Sequence, residues 1–290
     1  MSITPSQANS FIAEYWSAIL LTSLRKNAVV SSMLATNRDY EGNVRQGSKV
    51  HINSLVDPTV SPYTGGPITT TRLSTEDAEL LISEGDYFSF TVKDVERVQA
   101  AGDLAMTATA AAGRKLLEVA DQYVASQMIA EAGAKNVPIS IPSGTNAGDA
   151  LYDAVVDNVV QALDNNDVPE DRRFLIVTPR LKAMLLKSPK FIDASQYGST
   201  DAIMNGEIGR FAGLTVQMTT NIPQTTLGTP DVDLIAGHPM ATTYANQIQE
   251  TESLRDPSDF ADIVRGLHVY GAKVIRPSAL VTAKVTVATT

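Results

Sequence analysis

Between Asp94 and Gly133 apolar residues recur at helical spacing with no proline, which predicts one long helix. The stretch is rich in Ala, Leu, Glu, Gln, Lys, Arg and Met, the strong helix formers. Asp94 and Asp103 are N-cap candidates, so a short first turn is expected before the main helix. Gly133 suits a left-handed C-terminal cap, and Pro138 forbids continuation. From Asp103 onward the rise gives roughly 45 Å. Leu117, Ala120, Val124 and Met128 form one apolar row, with Leu116, Val119, Tyr123 and Gln127 beside it. An apolar face of this shape should lie along a sheet.

The flanking pattern is of two kinds. Residues 6–26 read as an amphipathic helix through Phe11, Ile12, Tyr15, Trp16, Ile19, Leu20 and Leu24. Such a terminal helix packs on its own domain or docks as an arm on a neighbouring subunit. Val50 and Ile52 alternate as in a half-buried strand running towards Leu55, and Phe88, Phe90 and Val92 alternate likewise. Between them, residues 53–86 carry prolines, paired glycines and many hydroxyls but few large apolar side chains. That composition cannot bury a core of its own. Bracketed by Lys49–Ile52 and Tyr87–Val92, it reads as a long two-stranded excursion, flexible when free and ordered against a partner.

Beyond the helix, residues 137–149 (VPISIPSGTNAGD) read as a hinge. A helix is expected over Asp149–Leu163, a buried strand at Phe174–Pro179, and a helical turn at Arg180–Leu186 stopped by Pro189. A turn at Asn205–Gly206 precedes the strand Leu214–Met218, and Asp233–Ala236 forms another. Thr242–Leu254 and Ala261–Ile275 flank a turn, Arg255–Asp259, as a long hairpin. Pro277 ends it, and Leu280–Val287 is a final strand. Helices and strands mix without regular βαβ spacing, so the class is α+β.

Composition narrows the function. The 290 residues are 43% hydrophobic and 19% charged, as in a folded domain or two. A net charge of −9 without any Lys/Arg cluster argues against binding nucleic acid through its phosphates. With no cysteine, disulfides, zinc thiolates and thiol nucleophiles are excluded. The first residues lack the charged and apolar regions of a secretory signal, and no apolar run approaches bilayer length. The expected compartment is the cytosol.

Candidate chemistry is thin. His51, His238 and His268 lie in different segments. His238, with Asp231 and Asp233 upstream, is the best acid/base candidate. Asp231 and Asp233 lack the ligand number of a calcium loop. Gly206, Gly209 and Gly213 lead into a strand rather than a helix, so they build no phosphate cradle. Glu76/Asp77 and Asp256/Asp259 read as solvated surface. No metal, cofactor or catalytic set is expected.

With the segments in order, the sequence resembles a tailed-bacteriophage major capsid protein of the HK-97-like fold. FIAEYWSAILLTSLRKNAVV, NRDYEG and GSKVHI look like the opening of one branch of these coat proteins. VKDVERVQAAGDL running into RKLLEVADQYV looks like the junction of extended loop and spine helix. VPEDRRFLIVTP, NGEIGRFAGLTVQMTTNIP and VRGLHVYGAKVIRPSAL look like axial-domain and closing-strand signatures. The resemblance implies an N-terminal arm (1–45), an extended loop (46–92), a peripheral domain (93–140 and 241–276) and an axial domain (141–240 and 277–290). It implies a non-enzymatic subunit that self-assembles as hexamers and pentamers into an icosahedral shell. That shell encloses double-stranded DNA without sequence-specific binding, in a virion assembled in the host cytoplasm and not in a membrane. Separate scaffolding and portal proteins are the expected partners. Phe11, Trp16, Tyr63, Arg72, Glu76, Asp77 and Glu84 are the expected inter-subunit contacts. Some relatives cross-link a loop lysine to a neighbour's asparagine; here His51 to Val92 holds no lysine, with Lys49 and Lys93 at the base. The rival functions are an encapsulin-type cargo shell and a soluble hydrolase using His238.

Overall fold

The computed structural model describes residues 29–32, 34–38, 49–55, 75–93, 104–143, 147–188, 210–224 and 230–287. The expected helix at 6–26, the first turn at 94–103 and the Asn205–Gly206 turn lie outside them. A long helix, α1 (Leu104–Glu131), spans about 42 Å. Its row Leu117, Ala120, Val124 and Met128 is buried, as is Leu116, while Val119 reaches the surface. This face packs on a three-stranded antiparallel sheet, the arrangement its pattern predicts.

That sheet has the order β3-β10-β9. Its strands are β3 (Glu84–Lys93), β9 (Thr242–Arg255) and β10 (Ala261–Val274). The hairpin β9–β10 falls where alternation places it. Its turn is set by side chains: Asp256 Oδ1 accepts from the Ser258 hydroxyl at 2.6 Å and amide at 2.8 Å, and Asp259 pairs with Lys93 at 3.1 Å. Those hydrogen bonds hold both carboxyls below the usual carboxylate range. The acidic pair read from sequence as solvated surface therefore also orders the turn.

The extended segment differs from expectation. β1 (Lys49–Leu55) pairs antiparallel with β2 (Thr75–Leu81), from Lys49↔Leu81 to Leu55↔Thr75. The strand containing Tyr87–Val92 pairs with β10 instead. The bracketing strands therefore do not form one ribbon: β3 belongs to the sheet under α1, and β2 stands between it and β1 along the chain. Ile52, Leu80, Ile82, Ala245 and Val269 make a small core where the β1–β2 ladder meets β9 and β10.

Gly271 controls this junction. A Cβ there would collide with the Leu81 carbonyl oxygen and stand 3.0 Å from Ile82 Cα. Because the obstacle is backbone, it cannot rotate away. Gly271→Ala is expected to cost about 1–3 kcal/mol through overpacking, read as a lower urea midpoint of the isolated chain. An unchanged midpoint would mean the two layers can separate without penalty.

The second sheet has the order β4-β11-β8-β5-β7-β6. It comprises β4 (Ala134–Ile141), β5 (Phe174–Val177), β6 (Arg210–Phe211), β7 (Leu214–Met218), β8 (Leu234–Gly237) and β11 (Leu280–Val287). The expected hinge at 137–149 is in part strand β4, which runs parallel to β11. Pro138 is tolerated because β4 is an edge strand, needing no second hydrogen-bonded neighbour. Gly133 does not take the left-handed cap conformation; it is required because a Cβ would lie 2.5 Å from the Pro277 carbonyl oxygen. β6 and β7 join through Ala212 (φ 44°) and Gly213 (φ 82°), a two-residue turn with both residues left-handed.

The helix expected at Asp149–Leu163 is longer and interrupted. It runs as α2 (Ala147–Val155), a π-helical turn (Val156–Val160) and α3 (Gln161–Asn165). Arg173, buried, pins the loop that follows: its guanidinium meets Asp164 at 2.6 Å and the Pro169 carbonyl at 2.9 Å. α4 (Pro179–Leu185) follows β5. One continuous core joins α1, both sheets and α2–α4.

Candidate functional site

α1 carries a carboxylate on its buried face. Asp121 is fully buried and accepts from the Val29 amide (3.2 Å), the Ser31 amide (3.0 Å) and the Ser31 hydroxyl. Asn221 donates at 3.3 Å to Oδ2, the oxygen that also accepts the Val29 amide. Four donors surround one acceptor group, so the charge is satisfied without a cation. The segment at 29–38, the long helix and the strand exit at Asn221 are thus clamped at a single side chain.

Beside the clamp lies a cleft between α1, β3, β10 and residues 220–224, lined by Glu84, Asp86, Glu118, Tyr123, Asn221 and Tyr270. Tyr270 donates to Asp86 at 2.6 Å, and Tyr123 meets the Tyr270 ring edge-on at 5.4 Å. Burial and then the Asp86 contact raise the Tyr270 phenol well above its ordinary range, so it stays a donor. His268 lies against the same ring, 5.0 Å between centroids, and is buried. Neither of its ring nitrogens has a hydrogen-bond partner. Burial lowers its pKa to about 4, with Asp86 pulling the other way.

Away from this cleft two aromatic side chains stand in solvent: Tyr87 is 77% and Phe260 79% exposed. Tyr87 follows from strand alternation, since Phe88, Phe90 and Val92 take the inner face. Phe260 sits at the hairpin turn, with its amide on Asp259 at 2.8 Å. Both are missing from the sequence-based contact set, although alternation could have found Tyr87.

Of that set, Phe11, Trp16, Tyr63 and Arg72 lie outside the described residues. Glu76 and Asp77 are in β2, in register with Ser54 and Asn53. Glu84 lines the acidic cleft. The histidines do not converge. His51 pairs in register with Glu79 in the β1–β2 ladder. His238 caps a short 3₁₀ turn, its Nδ1 accepting from Met240 at 3.2 Å. Desolvation lowers its pKa, and its acidic neighbour is Asp171 rather than Asp231 or Asp233. Asp233 Oδ2 instead accepts the Val285 amide at 2.9 Å. Among the described residues there is no cluster of metal ligands, and no helix long and apolar enough to cross a membrane.

A family description, phage capsid protein, matches residues 75–283, from the first residue of β2 into β11. The chain belongs to the phage capsid protein family. Solved structures agree in fold. A chain from Mycobacterium phage Che8 is 29% identical with a TM-score of 0.71, over 89% of this chain and 91% of that one. The capsid of cyanophage P-SCSP1u is 17% identical with a TM-score of 0.70, over 91% and 90%. A virus-like particle from Pyrococcus furiosus is 17% identical with a TM-score of 0.60, over 94% and 99%. No curated protein matches the chain. This phage capsid protein is a structural protein with the HK-97-like α+β fold expected from its motifs.

Proposed function

We propose that this capsid protein self-assembles, as hexamers and pentamers, into the icosahedral shell that encloses a tailed phage's double-stranded DNA. The family match over residues 75–283 carries the reading. The net charge of −9 favours it, because an acidic wall confines DNA without binding it. In this reading residues 1–45 form an arm, 46–92 an extended loop, 93–140 with 241–276 the peripheral domain, and 141–240 with 277–290 the axial domain. Phe11, Trp16, Tyr63, Arg72, Glu76, Asp77 and Glu84 contact neighbouring subunits, and scaffolding and portal proteins act in the host cytoplasm. An exposed ion pair is worth only about 0–1 kcal/mol, so in this reading burial of aromatic side chains outweighs the charged contacts. Electron microscopy of the purified chain is the test. Closed shells that package double-stranded DNA in infected cells are expected; a stable monomer would refute the reading. A second reading is an encapsulin-type shell, since the fold is shared with a virus-like particle from Pyrococcus furiosus over 99% of that chain. Protein cargo in place of DNA would select it.

Mature shells are expected to be non-covalent. Amide cross-linking needs a neutral lysine amine against a neighbour's side-chain amide. Between His51 and Val92 the only basic side chain besides histidine is Arg72, whose guanidinium stays protonated. Lys93 is engaged with Asp259 at 3.1 Å. Particles boiled in detergent should give one band near 31.0 kDa. A ladder of multimers would overturn the expectation.

A further inference from the structure

A separate cavity of about 330 Å³ lies beyond the carboxyl ends of β5 and β7, lined by Thr178, Arg180, Thr219, Ile222, Asp233 and Lys284 among others. β5 is parallel to β7 but antiparallel to β8, so strand direction changes beside the opening.

The lining is chemically biased. Thr178 is 5% exposed and its hydroxyl has no hydrogen-bond partner. It precedes α4 yet makes no capping bond to it. Thr219 is also buried; its oxygen accepts the Asn221 amide at 3.1 Å, which leaves its hydrogen to donate elsewhere. Lys284 donates to the Pro230 carbonyl and keeps two further N–H donors. Arg180 adds a guanidinium. The carboxylate on the wall, Asp233, is already hydrogen-bonded to the Val285 amide. Two cations therefore face one carboxylate, in a chain whose net charge is −9. The excess of donors is the reverse of what a metal ion needs.

We propose that this cavity is a binding site for a small oxyanion of the inorganic phosphate type. Lys284 and Arg180 supply the charge, and the Thr178 and Thr219 hydroxyls supply directional hydrogen bonds. An occupant would join three separate pieces of the six-stranded sheet: the β5–α4 junction, the end of β7 and strand β11. The segment leaving β7 continues to Asn221 and hence to the Asp121 clamp. Anion binding would thus stiffen the path from that sheet to the long helix.

The test is thermal melting of the unassembled full-length chain against inorganic phosphate, with sodium chloride at matched ionic strength as control. A ligand that binds only the folded state raises the midpoint as binding saturates. The wild-type chain should show that saturable rise, and chloride should not reproduce it. Thr178→Val should melt at or above wild type without phosphate, because an unpartnered buried hydroxyl contributes nothing to the fold. With phosphate it should bind at least tenfold more weakly. Arg180→Gln alters an exposed residue and should show the same loss, which keeps the test decisive if the valine variant misfolds. Equal phosphate shifts in wild type and Arg180→Gln, a matching shift from chloride, or no saturable shift at all would each overturn the proposal.

Discussion

Asp121→Ala is expected to lower the stability of the free subunit by about 3–5 kcal/mol, the largest effect of any single substitution proposed for this chain. The side chain is fully buried and its partners are all donors: two backbone amides, the Ser31 hydroxyl and the Asn221 amide. Alanine would strand the Ser31 amide in the interior, and an unpaired buried donor costs about 1–3 kcal/mol by itself. Asp121→Asn would be only a partial remedy, since the new NH₂ group would face donors. Urea unfolding measures the loss. Adding Ser31→Ala should cost much less in the Asp121→Ala background than in the wild type, because the two changes remove one interaction. A loss below about 1 kcal/mol would mean that water replaces the carboxylate and that no clamp exists.

The second large effect is on acid stability. His268 titrates near pH 6.5 when unfolded but at about 4 when folded, because burial disfavours the imidazolium. Between those values the unfolded chain binds more protons, so stability falls as pH drops from 6.5 towards 4 and the effect is complete below that. The gap corresponds to about 3 kcal/mol at its limit. His268→Phe keeps an aromatic ring beside Tyr270 and removes the proton site. Unfolding free energies of the two proteins should diverge by that order between about pH 7 and pH 4, wild type losing more. Parallel pH profiles would show that the folded histidine is protonated at its ordinary value.

Periodicity makes the long helix and the hairpin legible. Leu117 to Met128 repeat on one face, and β9–β10 alternate around a turn rich in Asp and Pro. The order of motifs makes the family legible, because each motif marks a point where the chain path is constrained. β2 is hidden: among the described side chains of TEDAELL only Leu80 is deeply buried, so acidic residues mask the alternation. β4 is hidden by Pro138, which is a strand breaker in a sheet interior but not at an edge. The Asp121 clamp has no local signal at all. Its partners lie 90 or more residues away on either side, and a buried aspartate on a helix reads like an exposed one until its neighbours are known. The capsid resemblance puts Glu84 at an arm contact; Asp86, two residues on, lines the acidic cleft with it.

The position of β11 has a consequence for how the chain is made. It lies inside its sheet, between β4 and β8, yet β4 ends at Ile141 and β11 begins only at Leu280. Until residue 287 has left the ribosome, β4 cannot be joined to β8, and the edge strand stays apart from the β8-β5-β7-β6 ladder. Such a late, long-range pairing is slow and leaves strand edges exposed in the meantime. A nascent chain whose β11 has not emerged therefore lacks the finished six-stranded sheet, with the facing edges of β4 and β8 both unpaired.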